Sequence, residues 1–186
     1  MAGDSFIIVD LEATCWEKGT SPLRMETIEI GAVRVGGTDL RPRAEFDRFV
    51  RPVSEPILSN FCTQLTGISQ DDVNGAEPFP VVFGEFLDWA RTEPFMWCSW
   101  GAYDLRQLRT DCARHDLQWP LVLERHMNLK AAFAQQMGCR PLGMKEALRK
   151  LGIPLAGKHH RAIDDARNIA RIGAFLLPSL HPPPAD

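Results

Sequence analysis

The sequence is short of several things that would have decided its class at once. It has no long apolar run: stretches such as Phe6 to Val9 and Ala174 to Leu177 are four residues each, against the ~20 that span a bilayer. A membrane-spanning helix is therefore not expected. Residues Met1 to Ser5 carry an Asp and no basic residue, and the apolar run behind them is too short for a signal-peptide core, so the expected location is the cytoplasm. Five cysteines (Cys15, Cys62, Cys98, Cys112, Cys139) form an odd set with no C-x-x-C pair. That argues against a disulfide framework and against a structural zinc site, and leaves reduced, mostly buried thiols. There is one tyrosine, Tyr103, and there is no overall basic excess, the net charge being -3. Broad electrostatic attraction to nucleic acid gets no support from that sum.

What is present is the composition of a folded domain. With 45% apolar and 24% charged residues in 186, disorder and fibrous repeats are excluded and one compact domain over residues 1–178 is expected. The Pro-rich stretch 179–186 is expected to be a frayed tail. Charge is unevenly spread: from Arg140 onward eight Lys/Arg face four Asp/Glu, while residues 1–139 hold thirteen against twenty. The C-terminal quarter is locally basic.

Periodicity predicts strands over Phe6–Leu11, Thr27–Val35 and Glu45–Val50, with Gly36-Gly37 as a turn. Short connections make these an antiparallel meander. Helical spacing then takes over, with a start at Ser69 and Asp72 and an apolar stripe Phe79, Phe83, Phe86, Ala90. Further strands are expected at Phe95–Trp100 and Met127–Leu129, and helices around Leu105–Cys112, Ala131–Met137, Leu142–Leu151 and Ile163–Leu177. The fold class is α/β, a mixed sheet flanked by helices.

The acids are placed where chemistry is plausible. Asp10 and Glu12 lie two apart at the end of the first strand, so both project from one face. Either they turn out to solvent, or a cation stands between them and offsets their repulsion. Asp104 follows the strand Phe95–Trp100 at the first turn of the next helix, where open α/β sheets place sites and where the helix dipole alone would also favour an Asp. On the last helix, Ala166, Ile169, Ile172, Gly173 and Leu176 form one apolar arc that includes Asp165. Asp164, with Asn168 and Arg171, falls on the opposite side. A carboxylate among core-facing residues needs a cationic partner. Four acids from three segments suit a pair of oxygen-preferring divalent ions, an arrangement able to stabilise both oxygens of a phosphoryl displacement, with a nearby histidine to deprotonate water.

Three segments, Ile8-Val9-Asp10-Leu11-Glu12-Ala13-Thr14-Cys15, Trp100-Gly101-Ala102-Tyr103-Asp104 and His160-Arg161-Ala162-Ile163-Asp164-Asp165, resemble in order and spacing the exonuclease motifs of the DEDD superfamily, in its histidine branch, DEDDh. Phe61 to Ile68 and Ile163 to Ile172 look like 3′ to 5′ exoribonucleases of the enhanced-RNAi type. The resemblance implies an RNase H-like fold with a five-stranded mixed sheet and two Mg²⁺ or Mn²⁺ ions. It implies release of nucleoside 5′-monophosphates from single-stranded RNA or DNA 3′ ends, RNA being the leading expectation. Carried over, Asp10, Glu12, Asp104 and Asp165 would be metal ligands and His160 the general base, with His159 a bystander. Candidate substrate contacts are Leu11, Ala13 and Thr14 beside the first acids, Phe61 and Tyr103 as stacking platforms, and Leu65 and Met144 as pocket walls; core packing would equally explain Phe61, Leu65 and Met144. The competing readings are a DNA-directed exonuclease, a binding module that has lost catalysis, and a phosphoesterase acting on something other than nucleic acid.

Overall fold

The computed structural model describes residues 5–18, 21 and 23–180. Five strands form one sheet in the order β3-β2-β1-β4-β5: β1 is Ser5–Ala13, β2 Thr27–Val35, β3 Pro42–Phe49, β4 Phe95–Ser99 and β5 His126–Asn128. β1, β2 and β3 run antiparallel, while β4 and β5 join in parallel after helical crossovers. The expected RNase H-like mixed sheet is therefore the one found. β1 extends beyond the expected Phe6–Leu11 because β2 pairs with it as far as Ala13. β4, by contrast, pairs with β1 only from Ser5 to Ile8. Past Ile8 the β4 side of β1 is open, and a backbone donor there must find another partner.

Alternation along β1 divides the interior. Phe6 and Ile8 enter a core with Val33, Cys98, Leu129, Phe133 and the apolar arc of the last helix, whereas Ile7, Val9 and Leu11 enter a second core with Trp97, Phe83, Phe86 and Leu108. The second core is covered by α3 (Phe79–Ala90) and α4 (Tyr103–Arg114), the first by α5 (Leu129–Gln136), α6 (Met144–Lys150) and α7 (Ala162–Leu180). A smaller cluster of Ile28, Leu58, Cys62, Ile68 and Val73 lies under α1 (Asn60–Thr66) and α2 (Gln70–Asn74). The expected helix start at Ser69 is a capping box, with Ser69 Oγ accepting from Asp72 N at 3.1 Å and Asp72 Oδ2 accepting from Ser69 N at 2.8 Å.

Two expectations need correction. α7 does not stop at Leu177; it carries Pro178 in its last turn and ends at Leu180, so Ser179 and Leu180 are helical and the remaining expected tail, 181–186, lies outside the described residues. Asn168 is not on a solvated face. It is fully buried, because the segment around Ala156 folds over that side of α7: Asn168 Nδ2 donates to Ala156 O at 2.7 Å and Oδ1 accepts from Ala156 N at 3.1 Å.

Three contacts fix the start of α7 and the flank of β2. Glu29 of β2, with no exposed surface, accepts from Arg161 Nη2 and Ala162 N, both at 3.0 Å. Gly31, opposite Asp10 in the ladder, lies so close to α7 that a Cβ would overlap the Ala162 carbonyl carbon and the Ile163 nitrogen. Buried Glu26 accepts from the successive N–H groups of Val53, Ser54 and Glu55, each with a contact of 2.9 Å. That carboxylate latches the segment after β3 to the sheet.

Candidate active site

The face of β1 that carries Phe6 and Ile8 into the core carries Asp10 and Glu12 next. α7, held against β2 at Gly31, brings Asp165 over the same face, and carboxylate oxygens of Asp10, Glu12 and Asp165 lie within 4.8 Å of one another. Asp104 arrives from α4 on the open side of β1: its Oδ1 accepts from Leu11 N at 3.2 Å, the backbone donor that β4 leaves unpaired. Asp165, on the inward arc, is 5% exposed. Asp164 points away and accepts from Lys158 N at 2.8 Å and Arg167 Nη1 at 2.9 Å.

Burial and mutual repulsion act on these acids together. Burial pushes Asp10 well up, with Asp104, Glu12 and Asp165 adding to it. Burial, then Asp165 and Glu29, push Glu12 up to about 8. Burial raises Asp104 to about 6, against the opposing hydrogen bond from Leu11 N. Acids that resist ionisation together accept it when a cation enters, and an all-oxygen donor set fits a hard divalent ion such as Mg²⁺ or Mn²⁺. The residues present therefore fit the group that the motifs imply.

Both histidines reach this cluster. His160, in a left-handed backbone conformation with φ 65°, donates its N–H to Asp165 Oδ2 at 3.0 Å. His159 Nδ1 lies 2.8 Å from Asp165 Oδ2, and the two imidazoles stack with centroids 3.9 Å apart. His159 is thus a member of the site and not the bystander its position suggested. Burial lowers His160 from the ordinary histidine value, as do His159 and Lys145, with Asp165 opposing.

A cavity of about 390 Å³ opens on these groups. Asp10, Glu12, Asp104, His160 and Asp165 all line it, and so do the expected contacts Leu11, Ala13, Leu65, Tyr103 and Met144. Two expected contacts do not. Thr14 is buried, its Oγ1 accepting from Glu26 N at 3.0 Å and its own N–H donating to Glu26 O at 2.8 Å. Phe61 is exposed on α1 but stands outside the lining. Residues not anticipated are Cys15, Met25, Trp100, Gly143 and His159. Of these Cys15 and Trp100 carried a signal, as the last residue of the first motif and the first of the second; Trp100 Nε1 donates to Leu142 O at 3.1 Å, which holds the ring at the rim.

Comparison with known proteins gives one family and a consistent set of relatives. The family model described as exonuclease matches residues 7–172. The ERI1 exoribonuclease 2 of Danio rerio is 34% identical over 192 residues, covering 92% of this chain and 34% of that protein, and the Xenopus laevis protein of the same name is 31% identical, covering 92% and 28%. The chain therefore spans about a third of the length of these curated relatives. Among solved structures, the nuclease domain of 3′hExo, a DEDDh family member bound to rAMP, superimposes with a TM-score of 0.90 at 30% identity, over 95% of this chain and 93% of that one.

Proposed function

The chain belongs to the exonuclease family, in its DEDDh branch, and from that premise we propose that it is a metal-dependent 3′ to 5′ exonuclease. It acts on single-stranded 3′ ends, RNA in particular, and releases nucleoside 5′-monophosphates. The observation that carries this reading is the convergence of Asp10, Glu12, Asp104 and Asp165 with His160 on one cavity. RNA is favoured by the exoribonuclease relatives and by the rAMP bound to the 3′hExo domain.

Asp10, Glu12, Asp104 and Asp165 would hold two divalent ions. Such ions, when bound, supply Lewis-acid stabilisation of the attacking and leaving oxygens of the phosphodiester. The other requirements fall to this chain's own side chains. His160, lowered by burial, is neutral near pH 7 and can take the proton of the attacking water. His159 and the His160 N–H hold the Asp165 carboxylate in one orientation. Leu11, Leu65, Met144, Tyr103 and Trp100 give the terminal nucleoside an apolar wall, and stacking of this kind tolerates any base.

Digestion of sequence-matched, 5′-labelled RNA and DNA oligomers with Mg²⁺ or Mn²⁺ tests the reading. A ladder shortening from the 3′ end on RNA is expected. Full activity in excess chelator, or products that retain an intact 3′ end, would overturn it, and a ladder on DNA alone would reassign the sugar preference.

A further inference from the structure

Cys15 and Cys62 come from different elements, yet the fold brings them into contact beside the cavity. The Ser59 hydroxyl joins their backbones, donating to Cys15 O at 2.5 Å and accepting from Cys62 N at 3.0 Å. Those two backbone atoms are therefore no further apart than two hydrogen bonds. Cys62 Sγ lies 3.7 Å from Ala13 O, two residues before Cys15. Cys15 packs against the small core that contains Cys62.

Access differs between the two. Cys62 has no exposed surface, whereas Cys15 is partly exposed and lines the cavity that opens on the carboxylates. Among the other thiols, Cys98 and Cys112 are buried in separate cores. One sulfur is open to a small reagent and the second waits behind it, which is the arrangement of an oxidised cysteine and its resolving partner.

We propose that Cys15 and Cys62 are an oxidation site, at which a peroxide closes an intramolecular disulfide behind the cavity wall. The Cys15 sulfur, losing a proton that Cys62 and burial hold to it, attacks one peroxide oxygen. The O–O bond breaks, an S–O bond forms, and the departing hydroxide takes up the proton to leave as water. The Cys62 sulfur then attacks the Cys15 sulfur, the S–S bond forms as the S–O bond breaks, and the second hydroxide leaves with the Cys62 proton as water. Both sulfurs are oxidised, two electrons in all, and the peroxide is reduced to two waters. The reaction does not depend on the nuclease reading, since it needs only the thiols and the opening.

The test is to treat the reduced full chain with hydrogen peroxide, digest it without reductant and read the peptides by mass spectrometry. The expected result is a loss of two hydrogen atoms in the intact mass, a Cys15 peptide joined to a Cys62 peptide, and full reversal by dithiothreitol. Cys62→Ala should stop at a sulfenic acid on Cys15 that a dimedone probe traps. In Cys15→Ser, which keeps a side chain of similar size against the small core, Cys62 should stay reduced. Sulfinic acid on Cys15 with Cys62 still free in the unsubstituted chain would overturn the proposal, and so would a Cys62 that oxidises as fast in Cys15→Ser.

Discussion

Asp164 and Asp165 are neighbours of equal charge, and only their direction on α7 separates them. Asp165→Asn should reduce turnover by orders of magnitude. Asp164→Asn should cost at most about 1 kcal/mol of stability, from the exposed pair with Arg167, and leave turnover near its starting value. Equal loss in both, with both folded by circular dichroism, would refute the assignment. His160→Ala should lose ~10²–10⁴-fold in rate, the range of general-base assistance. His159→Ala should fall between His160→Ala and the unsubstituted chain, because it removes a partner of Asp165 and not the proton acceptor. Asp165 was legible in the sequence because a period of 3.6 residues puts it in an apolar arc. His159 was not legible, since its part in the site comes from the left-handed turn at His160, which no periodicity reports.

The position of α7 relative to the sheet decides whether those side chains meet at all. Gly31 permits the close approach, so Gly31→Val should push the start of the helix outward, lowering both the melting temperature and the rate of the ladder assay. Arg161→Ala strips the buried Glu29 carboxylate of its ionic partner, a change that typically costs about 3 kcal/mol or more; thermal melts should register it even with metal absent. The strands followed from alternation, and the antiparallel run of the first three from their connections, whereas the place of β4 beside β1 followed from neither. The helix ends were less legible, as Leu180 and Asn168 show: a hydrophobic pattern reports which side of a helix meets the sheet, but not the loop that returns to cover its other side. Thr14 shows the same limit in a loop, its hydroxyl taken by the backbone of a residue twelve positions on.

For the molecule as a whole, the clustered acids make stability depend on metal and pH together. Glu12 is raised in the folded chain to about 8 from the model-peptide 4.5, so between those values the folded state holds more protons than the unfolded state, and stability falls as pH rises through the window. The metal-free chain should therefore melt at a lower temperature at pH 8.5 than at pH 5.5, with Glu12→Gln flattening the trend. Saturating Mg²⁺ or Mn²⁺ should raise the melting temperature more at the higher pH. Local stability is distributed differently again. The segment around Val53 to Glu55 carries no helix or strand, yet its three amide protons are all held by the buried Glu26 carboxylate. In deuterated water those amides should exchange as slowly as the strand beside them, so a stretch of chain drawn as a loop would be timed by solvent as part of the sheet.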